Sequence, residues 1–186
     1  MKRFIDIKLS LFLIAIFALP ILLIILLIKL STGGEIFYWS DRVGFNNVIF
    51  RMPKFRTMVS ETPQIATHLL ANPATYLTPV GSILRRSSLD ELPQLWSILI
   101  GDMSFVGPRP ALFNQEDLVK LRTEIGVHKL KPGLTGWAQI NGRDKLSIHE
   151  KVLFDKYYLD NQSILLDFKI ILKTIIKVVH KDGINH

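Results

Sequence analysis

No cysteine occurs anywhere in the 186 residues. That excludes disulfide staples, thiolate nucleophiles and cysteine-held zinc, and it fits a reducing compartment. Histidine is sparse as well. His68, His128, His149, His180 and His186 are scattered without the spacing of a metal-ligand set, and they read as surface or packing residues. Acidic residues are in deficit: 16 Asp and Glu stand against 23 Lys and Arg, giving a formal charge of +7 and a pI near 9.7. Such a chain points to an anionic partner, whether nucleic acid, acidic lipid or a phosphate-bearing substrate. Internal repeats and low-complexity segments are also absent, and the length supports one domain with a real core.

Apolar residues are in excess, at 48% of the chain with a mean hydropathy of +0.28, and the excess lies near the N-terminus. Leu11 to Ile28 reads "LFLIAIFALPILLIILLI", without a charge or a hydrogen-bonding side chain. That approaches the roughly 20 residues a membrane-crossing helix needs, and it is too long for the apolar part of a cleaved signal. Pro20 in its middle removes a helix hydrogen bond and favours a kink. Both flanks are basic, with Lys2, Arg3 and Lys8 before the run and Lys29, Arg42, Lys54 and Arg56 after it. The charge pattern therefore gives no orientation for a span. A simple span and a re-entrant helix that returns to the same side stay level on these residues.

The C-terminal stretch "ILLDFKIILKTIIKVVHK" spaces Lys169, Lys173, Lys177 and Lys181 four apart among Ile, Leu and Val. It reads as an amphipathic helix suited to the headgroup layer of an anionic membrane, or else as a core helix with a solvated lysine face. Between the two ends, Glu35 to Met58 alternates aromatic and polar residues around Gly44 and Asn46-Asn47, which predicts a hairpin. Residues 60 to 80 read as a loop with room for a short helix. A helix is expected from Ser88 or Pro93 to a stop at Gly101, with others over Asn114–Ile125 and Ile148–Tyr158. "KLKPGLTGWAQINGR" reads as a glycine-rich loop. Trp39, Trp96 and Trp137 are expected mainly in packing roles. The expected fold class is α+β, mostly helical, with residues 1–30 as the membrane helix and 31–186 as a membrane-associated catalytic domain.

Within "RRSSLDELPQLW", Asp90 and Glu91 are adjacent carboxylates at a helix start. Ser88 with Glu91 fits a capping box, which would make the acids structural. Pro93 leaves that register open, and acids just outside the helix would face a ligand. Lys54, Arg56, Arg85, Arg86, Arg109 and Arg143 all lie near glycine, proline or turn residues, and Arg109 sits between two prolines. Rigid arginines bind phosphate oxygens through a planar fork. Paired carboxylates with phosphate oxygens suit magnesium, and an aspartate can attack phosphorus.

The blocks "KFRTM", "RSSLDELPQLWSILIGDMSFVGPRP", "KPGLTGWAQINGR" and "DKYYLDNQSILLDFKII" closely resemble the monotopic phosphoglycosyl transferases, a group of bacterial sugar transferases. The likeness runs over nearly the whole chain, and in length the chain is similar to the minimal members. The resemblance implies transfer of a phospho-sugar from a UDP-sugar to a polyprenyl phosphate such as undecaprenyl phosphate, with release of UMP. It implies a ping-pong route through a covalent aspartyl-phosphosugar. It further implies a re-entrant helix broken at a proline, matched by Pro20, and a site on the cytosolic face of the bacterial inner membrane. By the same carry-over Asp90 is nucleophile and Mg2+ ligand, and Glu91 helps hold the metal or manage protons. Arg85, Arg109 and Arg143 match arginines near the phosphates or nucleotide. Lys54 and Arg56 join them as expected substrate-binding residues, and Asp155 is a weaker candidate for a supporting role, the alternative being a surface acid paired with Lys151. Nucleic acid would explain the charge but not the apolar leader. A non-catalytic membrane scaffold and a phosphodiesterase using water are the competing readings.

Overall fold

The computed structural model describes residues 1–32, 34–59, 62, 72–142 and 145–180. The chain is α+β and mostly helical. Helix α1 (Lys2–Thr32) is followed by a hairpin of β1 (Phe37–Val43) and β2 (Ile49–Phe55). Next come α2 (Pro79–Arg86), α3 (Gln94–Ile100) and strand β3 (Ser104–Val106). After α4 (Glu116–Glu124), β4 (Gly133–Thr135) pairs in parallel with β3. Helices α5 (Trp137–Ile140), α6 (Ile148–Asp160) and α7 (Ile164–His180) complete the body.

The hairpin forms where expected. Asn46 and Asn47 both take left-handed φ, 53° and 61°, which asparagine tolerates better than most residues. The strands pair in the register Tyr38↔Lys54, Ser40↔Met52 and Arg42↔Phe50, so these six side chains share one face. Gly101 stops α3 as expected, at a left-handed φ of 103°. The stretch expected as a glycine-rich loop is more ordered than its composition implied. Gly133–Thr135 forms the second strand of the parallel pair, and a single turn of helix follows.

Helix α2 starts at the very end of the stretch expected as a loop with a short helix and runs on to Arg86, which the sequence reading did not assign. Its signal was Thr78-Pro79: the Thr78 hydroxyl accepts from Gly81 N at 2.9 Å, and Pro79 occupies the first turn, where its missing N–H loses nothing. A Cβ on Gly81 would come within 2.0 Å of the Thr57 carbonyl oxygen, so the glycine sets how closely α2 lies on the end of the hairpin.

The main core joins Met52 of β2, Leu95 and Ile98 of α3, Phe105 and Val106 of β3, Tyr158 of α6 and Ile170 of α7. Both halves of α1 pack on this body. Leu9, Leu13 and Ile14 lie against the main core, while Ile24 and Ile28 enter a second cluster with Phe55 and Leu84. Polar hooks fix the N-terminal turn. Lys2 Nζ pairs with Asp167 at 2.9 Å and donates to the Val106 carbonyl at 2.8 Å. Arg3 donates to the carbonyls of Ile98 and Leu99 at the C-terminus of α3, and Asp6 accepts from Phe105 N at 3.2 Å. The outer face of α1 is apolar and exposed, as at Phe12, Leu19, Leu23 and Leu30. α1 is long and apolar enough to cross a membrane by length and composition.

Helix α7 exposes Leu165, Phe168, Leu172 and Ile175, with Leu165 83% exposed, and it exposes Lys169 and Lys173 as well. Lys169 and Lys173 flank that stripe and lie over the Trp137 ring, and Lys177 donates to the Ile140 carbonyl at 2.6 Å. Lys181 lies outside the described residues. The packing role expected for the tryptophans holds for Trp137, which stacks on Tyr157. Trp39 and Trp96 are instead 44% and 55% exposed. Exposed indole rings have the amphipathic character found at membrane interfaces.

Candidate active site

The two acids occupy a reversal between helices. α2 ends at Arg86, Ser88 takes a left-handed φ of 56°, and Leu89–Glu91 form one 3-10 turn before α3 begins. Leu89 and Leu92 pack into the apolar cluster under this turn. The capping box does not form. Ser88 makes no side-chain cap bond, and its left-handed backbone is not that of an N-cap. Glu91 is engaged elsewhere: its Oε1 accepts from Lys54 Nζ at 2.7 Å and from Arg109 Nη2 at 3.5 Å.

Asp90 is 8% exposed. Burial pushes its carboxyl above the usual carboxylate range. Lys54 opposes the rise, Glu91 adds to it, and Arg85 and Arg109 pull it back down. Arg85 projects from the last turn of α2, where Nε donates to Thr57 Oγ1 at 2.9 Å. The structure therefore gathers Lys54, Arg85 and Arg109 around the acids, as the sequence led one to expect. Arg56 forms an ion pair with Glu35. Arg143 lies outside the described residues.

The segment that carries Arg109 is held by its carbonyls. Pro108 and Pro110 have no amide hydrogen to donate, yet every carbonyl from 108 to 111 is matched. Pro108 O accepts from Gly133 N at 2.8 Å and Ala111 O from Val43 N at 2.9 Å. Arg109 O accepts from Arg122 Nη1 at 2.9 Å, and Pro110 O from Arg42 Nη1 at 3.1 Å. The donors come from β4, β1 and α4, so three elements fix the backbone beneath one arginine.

Asp155 anchors this arrangement from below. It is 1% exposed, which corrects the reading of a surface acid paired with Lys151 and places it out of reach of substrate. Its Oδ2 accepts from Arg122 Nε at 2.9 Å and Nη2 at 2.6 Å. Burial raises the carboxyl and the Arg122 guanidinium opposes that rise. Arg122 itself was missed from sequence, where "KLRTE" on an ordinary helix carries no turn signal. Arg42 was noticed only as a flanking charge. It is half-buried on the hairpin face that also bears Lys54, and burial together with the neighbouring Arg109 lowers its guanidinium to about 10.

Behind this segment lies a pocket open to solvent, lined in part by Arg109, Arg122 and His128. Among the described residues no group of three or more His, Asp and Glu side chains is arranged to hold a metal. Asp90 and Glu91 offer two carboxylates. That donor set fits magnesium, which commonly takes one or two protein carboxylates and completes its shell with water and phosphate oxygens.

Comparison with known proteins shows the family. The family model described as "Bacterial sugar transferase" matches residues 1–181. The chain is 40% identical over 186 residues to the uncharacterized sugar transferase EpsL of Bacillus subtilis, covering 99% of this chain and 90% of that protein. It is 40% identical to the exopolysaccharide production protein ExoY of Sinorhizobium fredii, over 94% of this chain and 83% of that one. It is 38% identical to the UDP-glucose:undecaprenyl-phosphate glucose-1-phosphate transferase of Escherichia coli, matching 95% of this chain but only 40% of that longer protein. The chain belongs to the bacterial sugar transferase family, and it is a transferase.

Proposed function

We propose that the protein transfers a sugar phosphate from a UDP-sugar to a polyprenyl phosphate, undecaprenyl phosphate in bacteria, and releases UMP. The observation that carries this reading is the placement of a buried carboxylate, Asp90, among Lys54, Arg85 and Arg109. The printed activity of the Escherichia coli relative supports it. An Asp90 oxygen attacks the phosphorus that bears the sugar. The phosphoanhydride bond breaks, UMP leaves, and an aspartyl-phosphosugar remains. An oxygen of the lipid phosphate then attacks the same phosphorus, restoring the Asp90 carboxylate and giving a polyprenyl-diphospho-sugar. Lys54, Arg85 and Arg109 offset the negative charge that otherwise keeps a carboxylate away from a phosphate. A magnesium ion held by Asp90 and Glu91 would supply further neutralisation of the diphosphate. Two successive displacements also keep the anionic donor and acceptor from occupying the site together.

The covalent step has a direct test. The full chain in detergent is incubated with UDP-sugar labelled in the sugar and without lipid acceptor. Label retained on the protein through denaturation, with an equivalent of UMP released, is the expected result. Free labelled sugar phosphate instead would mean that water is the acceptor. Neither product would leave the scaffold reading standing.

The same proposal places the body on the cytosolic face of the inner membrane, with α1 entering and leaving on one side. Pro20 removes the bond that the Ile16 carbonyl would receive, which marks the point where the helix can bend. Supporting this, Lys2, Arg3 and Asp6 bond to the body at one end of α1, and Ile24 and Ile28 pack on it at the other. The native chain has no cysteine, so Lys8→Cys and Arg51→Cys give clean labelling sites. Both are expected to react with a membrane-impermeant maleimide in inside-out vesicles and neither in intact spheroplasts. Labelling of Lys8→Cys from the outside alone would establish a span.

A further inference from the structure

We infer that Lys169 and Lys173 form, over the ring of Trp137, a binding site for the headgroup of an anionic phospholipid, whose chains cover the exposed apolar row beside them. The inference rests on the membrane placement above and deepens it, and it does not depend on the chemistry at Asp90.

The two lysines are brought together by the helix and by one aromatic ring. They stand four residues apart on α7, so they share a face. Lys169 Nζ lies 5.8 Å and Lys173 Nζ 5.9 Å from the centre of the Trp137 ring. That ring is itself stacked on Tyr157 at 5.1 Å. Both lysines are exposed, and among the described residues neither forms an ion pair with a carboxylate. Asp167, the acid of α7, is engaged by Lys2 and by the Tyr158 hydroxyl, and Asp160 on the neighbouring α6 is paired with Lys156. An indole face attracts a cation but offers no anionic oxygen. Like charges four apart on a helix repel, and here no acid offsets them. An oxyanion that accepts from both ammonium groups removes the repulsion.

The neighbouring surface decides which oxyanion. The row Leu165, Lys169, Lys173 adjoins the row Phe168, Leu172, Ile176 on the same helix. Leu165, Phe168, Leu172 and Ile176 are all exposed. A free phosphate would leave that apolar surface in water. A phospholipid covers both parts, with its phosphate on the lysines and its chains on the apolar row, and the lysine stems reach from one to the other. Charge then selects the class of lipid. A zwitterionic headgroup carries its own cation to the two ammonium groups, whereas an anionic headgroup does not.

The full chain, carrying Trp39→Phe and Trp96→Phe so that Trp137 is its one indole, is reconstituted into bilayer discs of phosphatidylcholine. Brominated phosphatidylglycerol or brominated phosphatidylcholine replaces part of the lipid, and quenching of Trp137 is followed. The brominated phosphatidylglycerol is expected to reach half-quenching at a mole fraction about fivefold or more lower than the brominated phosphatidylcholine. Lys169→Gln with Lys173→Gln removes that preference, while quenching by phosphatidylcholine stays at the parent level and shows that α7 keeps its place. Lys169→Arg with Lys173→Arg keeps the preference. Equal quenching by the two lipids in the parent, a preference that survives in the Gln pair, or no quenching by either would overturn the inference. Displacement of the brominated phosphatidylglycerol by an equimolar short-chain polyprenyl phosphate would assign the lysines to the acceptor lipid and would overturn it too. Failure of the membrane placement reads out separately. With Trp137→Phe added, Leu19→Trp on the exposed face of α1 is quenched by both brominated lipids when α1 enters the bilayer, and by neither when it does not.

Discussion

Asp90→Asn is expected to lower UMP release by a factor of about 10³ or more while leaving the protein folded. Asn keeps the size and one oxygen of the side chain but cannot form the acyl-phosphate. The same change removes label transfer to the protein in the absence of lipid. Stability should move the other way. Burial raises the Asp90 carboxyl above its unfolded value, so the folded form holds its proton more tightly, and stability falls as pH rises through the window between the two values. At neutral pH the ionised group opposes folding, and replacing it with a neutral amide leaves the melting temperature unchanged or raised. The pH–rate profile follows from the same shift. The nucleophile must be ionised, so kcat/KM of the wild type falls on the acid side starting above the ordinary aspartate range. Wild-type turnover in Asp90→Asn, measured on protein free of the parent enzyme, would end the covalent mechanism. A collapse of the melting temperature would mean that the carboxylate is structural.

The contrast between Asp90 and Asp155 shows what the sequence could reveal. Asp90 was legible because its neighbours break the rules of a plain helix start. Pro93 disturbs the cap register, and Ser88 proves to sit in left-handed backbone and makes no side-chain cap bond. The hairpin and α6 were legible from turn chemistry and periodicity, and α6 opens with a complete capping box between Ser147 and Glu150. Strand β4 was hidden because three residues in a run of glycines give no alternation to read. Only the pairing of Gly133 and Thr135 with β3 defines it.

The site divided along the same line. Lys54 follows Pro53 near the end of β2, Arg85 lies in the last turn of α2 and Arg109 lies between two prolines, and those neighbours singled them out in the sequence. Arg122 stands in the last turn of α4, where an arginine normally faces water. Its burial follows from the packing of α4 on α6, a long-range fact that no local pattern encodes. Arg42 needed the hairpin register: only once Tyr38 is set opposite Lys54 does period-two alternation bring Arg42 to the same face. Arg56, two residues beyond Lys54, showed the limit of that rule, since past the end of β2 it turns to Glu35.

The second large effect is expected at the buried pair beneath Arg109. Asp155→Asn should lower stability by about 3 kcal/mol or more, because it strands the Arg122 guanidinium in a dry site without its counter-charge. Asp155 and Arg122 are both buried, and two charge-assisted bonds converge on one oxygen. Replacing both partners tests whether the pair acts only through stability. Asp155→Leu with Arg122→Met removes both charges and fills similar volume, and it should recover most of the melting temperature lost in the single variant. Activity should not recover with it. Arg122 also donates to the Arg109 carbonyl, and a methionine leaves that carbonyl unmatched next to two prolines that can offer no substitute. Arg109 then loses part of its fixed position, so the double variant should fold nearly as well as the wild type and show a higher KM for the UDP-sugar with a smaller change in kcat. Full recovery of KM together with stability would mean that Arg109 is held well enough by Gly133, Val43 and Arg42, and that Asp155 contributes to folding alone.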